Sequence, residues 1–144
     1  MTRRGDYHDA ERQFERVLDH EPEHFLARLL QGVCCLRQHH LAEARIALTA
    51  AIAQRPRFHW SYLFRSQVHR ESGDFVSAIG DLETALSCQP PAPEGYAALM
   101  EAAQVWRQQK HDSKARDLLE RAVQLLPSEP AARRELDDLE GRAR

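Results

Sequence analysis

The sequence has no long apolar run and no block of like charge. Its 144 residues are 42% hydrophobic and 29% charged, as in an ordinary soluble globular domain. No stretch reaches the roughly 18 consecutive apolar residues that indicate a membrane-spanning helix. The charged start, MTRRGDYHDAERQFERV, lacks the apolar centre of a signal peptide. We therefore expect neither membrane insertion nor signal-directed export of this segment.

The sequence also has almost no lysine and no excess of positive charge. Twenty basic and twenty-two acidic residues alternate along the chain and give a formal net charge of -2. This balance argues against nucleic acid as the main partner. Only Lys110 and Lys114 are lysines. The other basic residues are arginines, whose planar guanidinium favours bidentate recognition of carboxylates.

Cysteine is scarce and forms neither a disulfide framework nor a metal-binding pair. Of the three cysteines, Cys34 and Cys35 are adjacent, so no Cys-x-x-Cys spacing occurs. Adjacent helical residues point about 100° apart, which makes a zinc site with the nearby His39 and His40 unfavourable. We expect both thiols to be buried as small hydrophobic groups. A reducing interior, and hence a cytoplasmic location, is the simplest interpretation.

One short motif matches a zinc-protease signature in the wrong context. The segment His20-Glu21-Pro22-Glu23-His24 satisfies the pattern His-Glu-x-x-His, which needs both histidines on one face of a continuous helix. Proline inside a helix removes a hydrogen bond and clashes with the preceding turn. We therefore predict that the two imidazoles do not share a helical face. Catalytic serine motifs and phosphate-binding loops are also absent, so we expect no enzyme, no cofactor and no metal site.

Proline recurs at a fixed interval. Pro22, Pro56 and Pro90 are 34 residues apart, and Pro127 follows after 37. A period of this kind is typical of helical solenoids. Residues at fixed distances before each proline are small or apolar, as expected where two helices approach closely. They are Ala10, Ala44, Ala78 and Ala115, then Phe14, Leu48, Leu82 and Leu119, then Val17, Ala51, Ala85 and Ala122.

The apolar periodicity predicts an all-α fold without strands. The segment Pro90–Gly95 holds the three extra residues of the last interval, and its prolines predict a longer loop. The predicted helices span residues 7–20, 24–38, 41–54, 58–71, 74–88, 94–109, 112–126 and 129–141.

These residues resemble the tetratricopeptide repeat (TPR) pattern, a helix-turn-helix of roughly 34 residues. The resemblance implies a right-handed α-α superhelix, a TPR solenoid of antiparallel helix pairs, as a single array over residues 1–144. The array would comprise the second helix of an incomplete repeat (5–22), three repeats (25–58, 59–92 and 93–129) and a C-terminal capping helix (130–144). Gln31 and Arg65 depart from the pattern, since a leucine is usual at both positions.

The resemblance also implies that the first helix of each pair lines a concave groove that binds a protein or peptide. Arg37, Arg70 and Arg107 come from adjacent repeats, which favours a partner segment with aliphatic residues followed by an acidic group. The alternative is that these arginines pair with Glu71 and Glu101. The implied partner-binding residues are Leu29, Val33, Leu36, Arg37, Trp60, Leu63, Gln67, Arg70, Met100, Gln104 and Arg107.

The two tryptophans have different expected environments. Trp106 stands where the TPR pattern buries an aromatic residue, so core packing is expected. Trp60 falls on the face that the family turns toward the groove, and both exposure at a binding site and burial remain open.

Two other roles remain open. The chain starts at a second helix, so we expect a fragment of a longer protein in which Tyr7, Phe14 and Val17 lack a covering helix. A second copy would cover them with the C-terminal helix around Leu136 and Leu139, giving head-to-tail self-association. The chain would otherwise be a structural spacer. Residues 58–65 resemble TPR tails of large bacterial proteins with a signalling kinase, which implies a cytoplasmic regulatory role.

Overall fold

A computed structural model describes residues 4–142 of the protein, and the side chains of residues 5–141. Within these limits the chain forms eight α-helices and no strand, so the predicted helices are confirmed. The helices are α1 (Arg4–His20), α2 (Phe25–Arg37), α3 (Leu41–Gln54), α4 (His59–Glu71), α5 (Phe75–Ser87), α6 (Ala92–Gln108), α7 (Asp112–Leu125) and α8 (Pro130–Arg142).

Helices α1 and α6 begin earlier than predicted, at Arg4 and not at residue 7, and at Ala92 and not at residue 94. Helix α1 begins at Arg4, so Asp6, expected before the helix, lies in its first turn. A carboxylate there interacts favourably with the helix dipole. Helix α6 begins at Ala92, so residues 92–95 lie inside it and the predicted longer loop is wrong. Four residues separate α5 from α6, as they separate α3 from α4, and the added length lies in α6, which has 17 residues where α4 has 13. Pro93 occupies the first turn of α6. A proline at that position lacks only an N–H group that has no helical partner.

The helices form two compact units, and the boundary lies within α5. The first unit ends at Asp81 and the second begins at Leu82. In the first unit α2 packs against α1 and α3, and α3 against α4; in the second, α7 packs against α6 and α8. The core of the first unit contains Leu29, Cys35, Leu36, Ala44, Leu48, Ala51 and Val68, and that of the second contains Leu99, Ala103, Ala115, Leu119, Ala122, Ala132, Leu136 and Leu139.

Three residues in each of the helices α3, α5 and α7 are fully buried. They stand at the repeated distances before the prolines, and each set has an accessible surface of 0%. A side chain of one carbon lets neighbouring helix axes approach closely, and the leucine between two alanines fills the remaining space. The corresponding residues of α1 are less buried. The buried sets are Ala44, Leu48 and Ala51, then Ala78, Leu82 and Ala85, then Ala115, Leu119 and Ala122.

Gly32 marks a close approach between α2 and α3. A Cβ atom at this position would lie 2.8 Å from Leu48 Cγ and 2.9 Å from Leu48 Cδ2, which is too short for two carbon atoms. Leu48 is fully buried, so its side chain cannot turn away without opening the core. The glycine is therefore needed for the packing of this helix pair.

The turn inside each helix pair repeats one backbone motif. His39, Gly73 and Lys110 have φ angles of 63°, 79° and 62°. Each donates its N–H to the carbonyl three residues earlier, and the next N–H bonds to the carbonyl five residues earlier. These two bonds form the Schellman motif that ends a helix. Only Gly73 among the three is a glycine. At His39 and Lys110, which have a Cβ atom, the left-handed backbone conformation lowers the folding stability by about 1–2 kcal/mol.

We expect Gly32→Ala to destabilise the protein by about 1–3 kcal/mol, because the added methyl group overpacks the contact with Leu48. The measurement is urea denaturation followed by circular dichroism. Gly80→Ala is the matched control: Gly80 lies in α5, and a Cβ atom added there would meet no atom within 4 Å. That change should stabilise the helix by about 0.5–1 kcal/mol. Equal effects at both glycines would contradict the close-approach argument.

Lys110→Gly should stabilise the protein by about 1 kcal/mol, because it removes the steric cost of the left-handed backbone conformation. The same denaturation experiment measures it. Lys110→Ala is the control, since it removes the charge but keeps the Cβ atom. If the alanine variant gains as much stability as the glycine variant, the backbone strain is not the cause.

Candidate partner-binding surface

Helices α2 and α4 carry the predicted binding residues of the first unit. Spacings of three, four or seven residues place Trp60, Gln67 and Arg70 on one face of α4, and Val33 and Arg37 on one face of α2. Trp60 and Arg37 are exposed, while the other three are half-buried. We call the first set the α4 stripe and the second the α2 stripe.

Burial removes three leucines from the predicted surface. Leu29, Leu36 and Leu63 keep less than a tenth of their surface accessible to solvent, and the first two belong to the core of the first unit. The apolar face of a helix that packs on a core is wider than one line of side chains. The position of a residue along the helix therefore does not show whether its side chain lines the groove or lies in the core. A partner reaches these leucines only if the core opens.

Trp60 belongs to a row of aromatic rings at the start of α4. Its ring stacks on Phe64 with centroids 5.6 Å apart and an angle of 27°, and His59 lies 5.6 Å away on a tilted plane. The ring centroid of His59 lies 5.9 Å from that of Phe58, and the centroid of Phe58 lies 5.4 Å from that of Phe25. Trp60 nevertheless keeps 38% of its surface exposed. The open question about this tryptophan is therefore decided in favour of exposure, on a ring held in place by its neighbours.

The unusual Arg65 is explained by an ion pair. Its Nε and Nη2 atoms donate to the two carboxylate oxygens of Asp81 at 2.8 and 2.7 Å. Asp81 is buried, and His69 Nε2 lies 3.4 Å from its Oδ2 atom. The hydrogen bonds to Asp81 raise the pKa of Arg65 against the opposing effect of burial. A charged pair between α4 and α5 thus stands where the repeat pattern usually places a leucine.

In the second unit the predicted binding residues have different environments. Gln104 is exposed, and Met100 packs partly against the core. Arg107 donates to Asp138 at 2.9 Å and lies 3.4 Å from Glu135, so carboxylates of α8 already neutralise it. The alternative that the arginines pair with carboxylates of the same chain therefore holds for Arg107. Its partners are Asp138 and Glu135 of α8, whereas the sequence predicted Glu71 and Glu101.

Trp106 also lies in the second unit, and its predicted packing against the core is found, although the ring is only partly buried. Its ring packs against the core cluster of that unit. The ring also meets His111 edge-on at 5.3 Å, and Lys114 Nζ lies 4.1 Å from the ring centroid.

Helix α1 is held to α2 partly by a buried thiol. Cys35 Sγ donates to Glu11 Oε1 at 3.0 Å, and Gln38 Nε2 donates to Glu11 Oε2 at 2.8 Å. Desolvation opposes ionisation of Glu11, but these hydrogen bonds outweigh it and lower the pKa of the carboxyl group. Burial, together with the bond to Glu11, raises the pKa of the Cys35 thiol. Cys34 is buried as well, so the prediction of buried thiols is confirmed.

The His-Glu-x-x-His segment does not form a zinc-protease helix. His20 is the last residue of α1, and His24 caps α2 by accepting a hydrogen bond from the Ala27 N–H at 3.1 Å. His20 therefore ends α1 and His24 lies just before α2, so the two imidazoles do not share a helical face, as predicted. No cluster of three potential metal ligands occurs among the residues that the structure describes. Between residues 4 and 142, no helix is both long enough and apolar enough to cross a membrane.

Comparison with known proteins identifies the repeat. The tetratricopeptide repeat family model matches residues 3–57 and 65–130. The crystal structure of MamA superposes with a TM-score of 0.85 at 18% identity, covering 96% of this chain and 80% of that one. A tetratricopeptide repeat protein from Parabacteroides merdae superposes with a TM-score of 0.84 at 22% sequence identity, and the match covers 96% of this chain and 55% of that one. The N-terminal domain of stress-induced protein-1 from C. elegans superposes with a TM-score of 0.76 at 18% sequence identity, and the match covers 81% of this chain and 94% of that one. A search of curated protein sequences finds no match.

We expect Asp81→Ala to destabilise the protein by about 3 kcal/mol, because it leaves the partly buried guanidinium of Arg65 without its carboxylate. Urea denaturation measures the change. The control is the double substitution Arg65→Leu with Asp81→Leu, which replaces the pair by apolar groups and should cost much less. A double variant as unstable as Asp81→Ala would show that the charge imbalance is not the cause.

Proposed function

Because the chain belongs to the tetratricopeptide repeat family, we propose that it is a non-enzymatic scaffold that holds a segment of another protein. Arrays of such repeats present extended surfaces on the first helix of each pair, and these surfaces take up partner segments. We place the contact in the first unit, on the α2 and α4 stripes. Met100 and Gln104, which the sequence also predicts as binding residues, lie in the second unit.

Trp60 is the observation that carries the proposal. A tryptophan with 38% of its surface exposed is unusual on an ordinary solvated helix, and it is held rigid by stacking on Phe64. Rigid aromatic side chains lose little conformational entropy when they bind and dominate the energetics of many interfaces. Leu26, also exposed, stands on α2 one 34-residue period before Trp60. This surface suits an aliphatic or aromatic side chain of the partner.

The cationic end of the stripes favours an acidic group in the same partner segment. Arg37 is exposed at the end of α2, and Arg70 lies at the far end of the α4 stripe from Trp60. Arg70 already has an interaction within the protein, so an acidic partner would compete for it or add to it. Arg107 already pairs with carboxylates of α8, so the proposal does not depend on it.

Self-association is the second candidate, and one observation favours it. Val17 is 37% exposed on α1, and Tyr7 and Phe14 are half-buried. However, Leu136 and Leu139, which were expected to cover this surface in a second copy, are buried in the core of the second unit. Self-association through them would require α8 to leave that core. The groove-binding role needs no such rearrangement.

We also propose a cytoplasmic location, within a larger bacterial signalling protein. Cys34, Cys35 and Cys88 are free thiols, and the first two are buried. Such thiols persist most simply in a reducing compartment.

The test is selection of binders from a random peptide library, followed by fluorescence anisotropy with the enriched peptides. We expect these peptides to combine an aliphatic or aromatic residue with Asp or Glu. Trp60→Ala should weaken binding at least about tenfold, as expected for loss of an anchoring aromatic residue. Ile46→Ala is the matched control, since Ile46 is also exposed but lies on the second helix α3. Failure to enrich peptides, or equal losses in both variants, would contradict the proposal.

A further inference from the structure

Two adjacent thiols lie under helix α1. Cys34 and Cys35 keep only 7% and 1% of their surfaces exposed. The Cys35 Sγ atom points to α1, where it donates to Glu11 Oε1 at 3.0 Å. Desolvation raises the pKa of both thiols, and the nearby Glu11 carboxylate raises it further. Because the thiolate is the nucleophilic form, the pair is both inaccessible and unreactive while α1 is in place.

Helix α1 buries little of its own surface. Of its described side chains, Leu18 alone keeps less than a tenth of its surface exposed, whereas α2 contributes six buried residues. The residues named above as the core of the first unit lie on α2, α3 and α4. A segment with few buried apolar contacts opens at a lower free energy than the core does. We therefore expect α1 to leave α2 more readily than the unit unfolds.

Glu11 is the polar link between α1 and α2. Its Oε1 atom accepts from the Cys35 thiol, and its Oε2 atom accepts from Gln38 Nε2 at 2.8 Å. The Gln38 carboxamide also donates to the Cys34 carbonyl at 3.2 Å, which fixes it at the end of α2. Hydrogen bonds to an ionised carboxylate are stronger than those between neutral groups. Any reaction that replaces the thiol proton of Cys35 therefore removes one of the two bonds that Glu11 makes to α2.

The repeat itself does not require a thiol at this position. Cys35, His69 and Trp106 each stand 21 residues before a repeat proline. An imidazole and an indole thus occupy the equivalent place in the two later helix pairs. The contact between a thiol and a carboxylate is therefore a property of the α1–α2 pair and not of the repeat.

We propose that Cys35 is a site of reversible mixed-disulfide formation with an oxidised low-molecular-weight thiol, and that α1 is the lid that controls this reaction. When α1 leaves α2, the Cys35 thiol loses its proton to water, and the thiolate attacks one sulfur of the small disulfide. A new S–S bond forms to Cys35, the S–S bond of the reagent breaks, and the released thiolate takes up a proton. Cys35 is thereby oxidised, and half of the reagent is reduced.

The product holds the lid open. The modified Cys35 has no proton to donate to Glu11, and its adduct occupies the space in which α1 packs. Cys34 cannot release the adduct by forming a disulfide with Cys35 while α2 stays helical. Consecutive Cα atoms are about 3.8 Å apart, whereas those of disulfide-bonded cysteines usually lie about 4.4–6.8 Å apart. The adduct therefore persists until an external thiol reduces it.

The first test is the reaction of the protein with excess oxidised glutathione in low concentrations of urea. Intact-mass spectrometry gives the rate, and peptide mapping separates Cys35 from Cys34 and Cys88. The rate at Cys35 should rise with urea much less steeply than global unfolding does, because the slope scales with the surface exposed. Reaction at Cys34 in place of Cys35, no reaction at Cys35, or a rate with the full slope of global unfolding would overturn the proposal.

Variants and hydrogen exchange test the role of α1 as a lid. Glu11→Ala should speed modification of Cys35 at least about tenfold, because it removes both bonds to α2. Glu15→Ala is the matched control, at an exposed glutamate of α1, and should leave the rate unchanged. Equal rates in both variants would overturn the role of Glu11.

The amides of α1 provide the last measurement. In the glutathionylated protein they should exchange at least about tenfold faster than in the reduced protein, while those of α3 keep their protection. Full protection of α1 after modification would overturn the coupling between Cys35 and the lid. Trp60→Ala should not change these rates, so their outcome is independent of the proposed scaffold function.

Discussion

The close approach of neighbouring helices is the constraint on which the rest of this structure depends. Alanine, leucine and alanine recur at three fully buried positions of α3, α5 and α7, and Gly32 leaves no room for a methyl group beside Leu48. Because the small residues fix how near the helices lie, the leucine between them can fill the gap at the density of a protein interior. The turns that end α2, α4 and α6 repeat for the same reason, since each of these helices must end at the equivalent position of its repeat if the next helix is to pack against it.

Charged pairs complete the packing where an apolar residue is missing. Arg65 and Asp81 join α4 to α5, and Arg107 joins α6 to the carboxylates of α8. A partly buried guanidinium needs a partner because an unpaired charge in this environment is costly. These pairs also decide which arginines remain available to a ligand. Arg107 is neutralised by its own chain, whereas Arg37 and Arg121 lie on the surface.

The places that depart from the repeat are also the places with distinctive chemistry. The aromatic row at the start of α4 exposes Trp60 on a stacked support. The longer interval between Pro90 and Pro127 contains α6, which has 17 residues where α4 has 13. The turn before α6 has its own hydrogen-bond pattern, and a pocket lies beside it. A regular repeat specifies packing, because every unit must fit its neighbours. A local departure changes the surface while the buried positions stay the same.

The sequence by itself determined the helices, the repeat and the buried alanines and leucines of α3, α5 and α7, because periodic spacing requires only local helical geometry. It also indicated that His20 and His24 do not share one continuous helix, since proline interrupts it. Tertiary structure alone decided that Leu29, Leu36 and Leu63 are buried, that Asp138 and Glu135 pair with Arg107, and that Arg121 borders a pocket. These properties arise from residues distant in sequence that meet only when helices pack, and no periodic pattern specifies which side chains those contacts will cover.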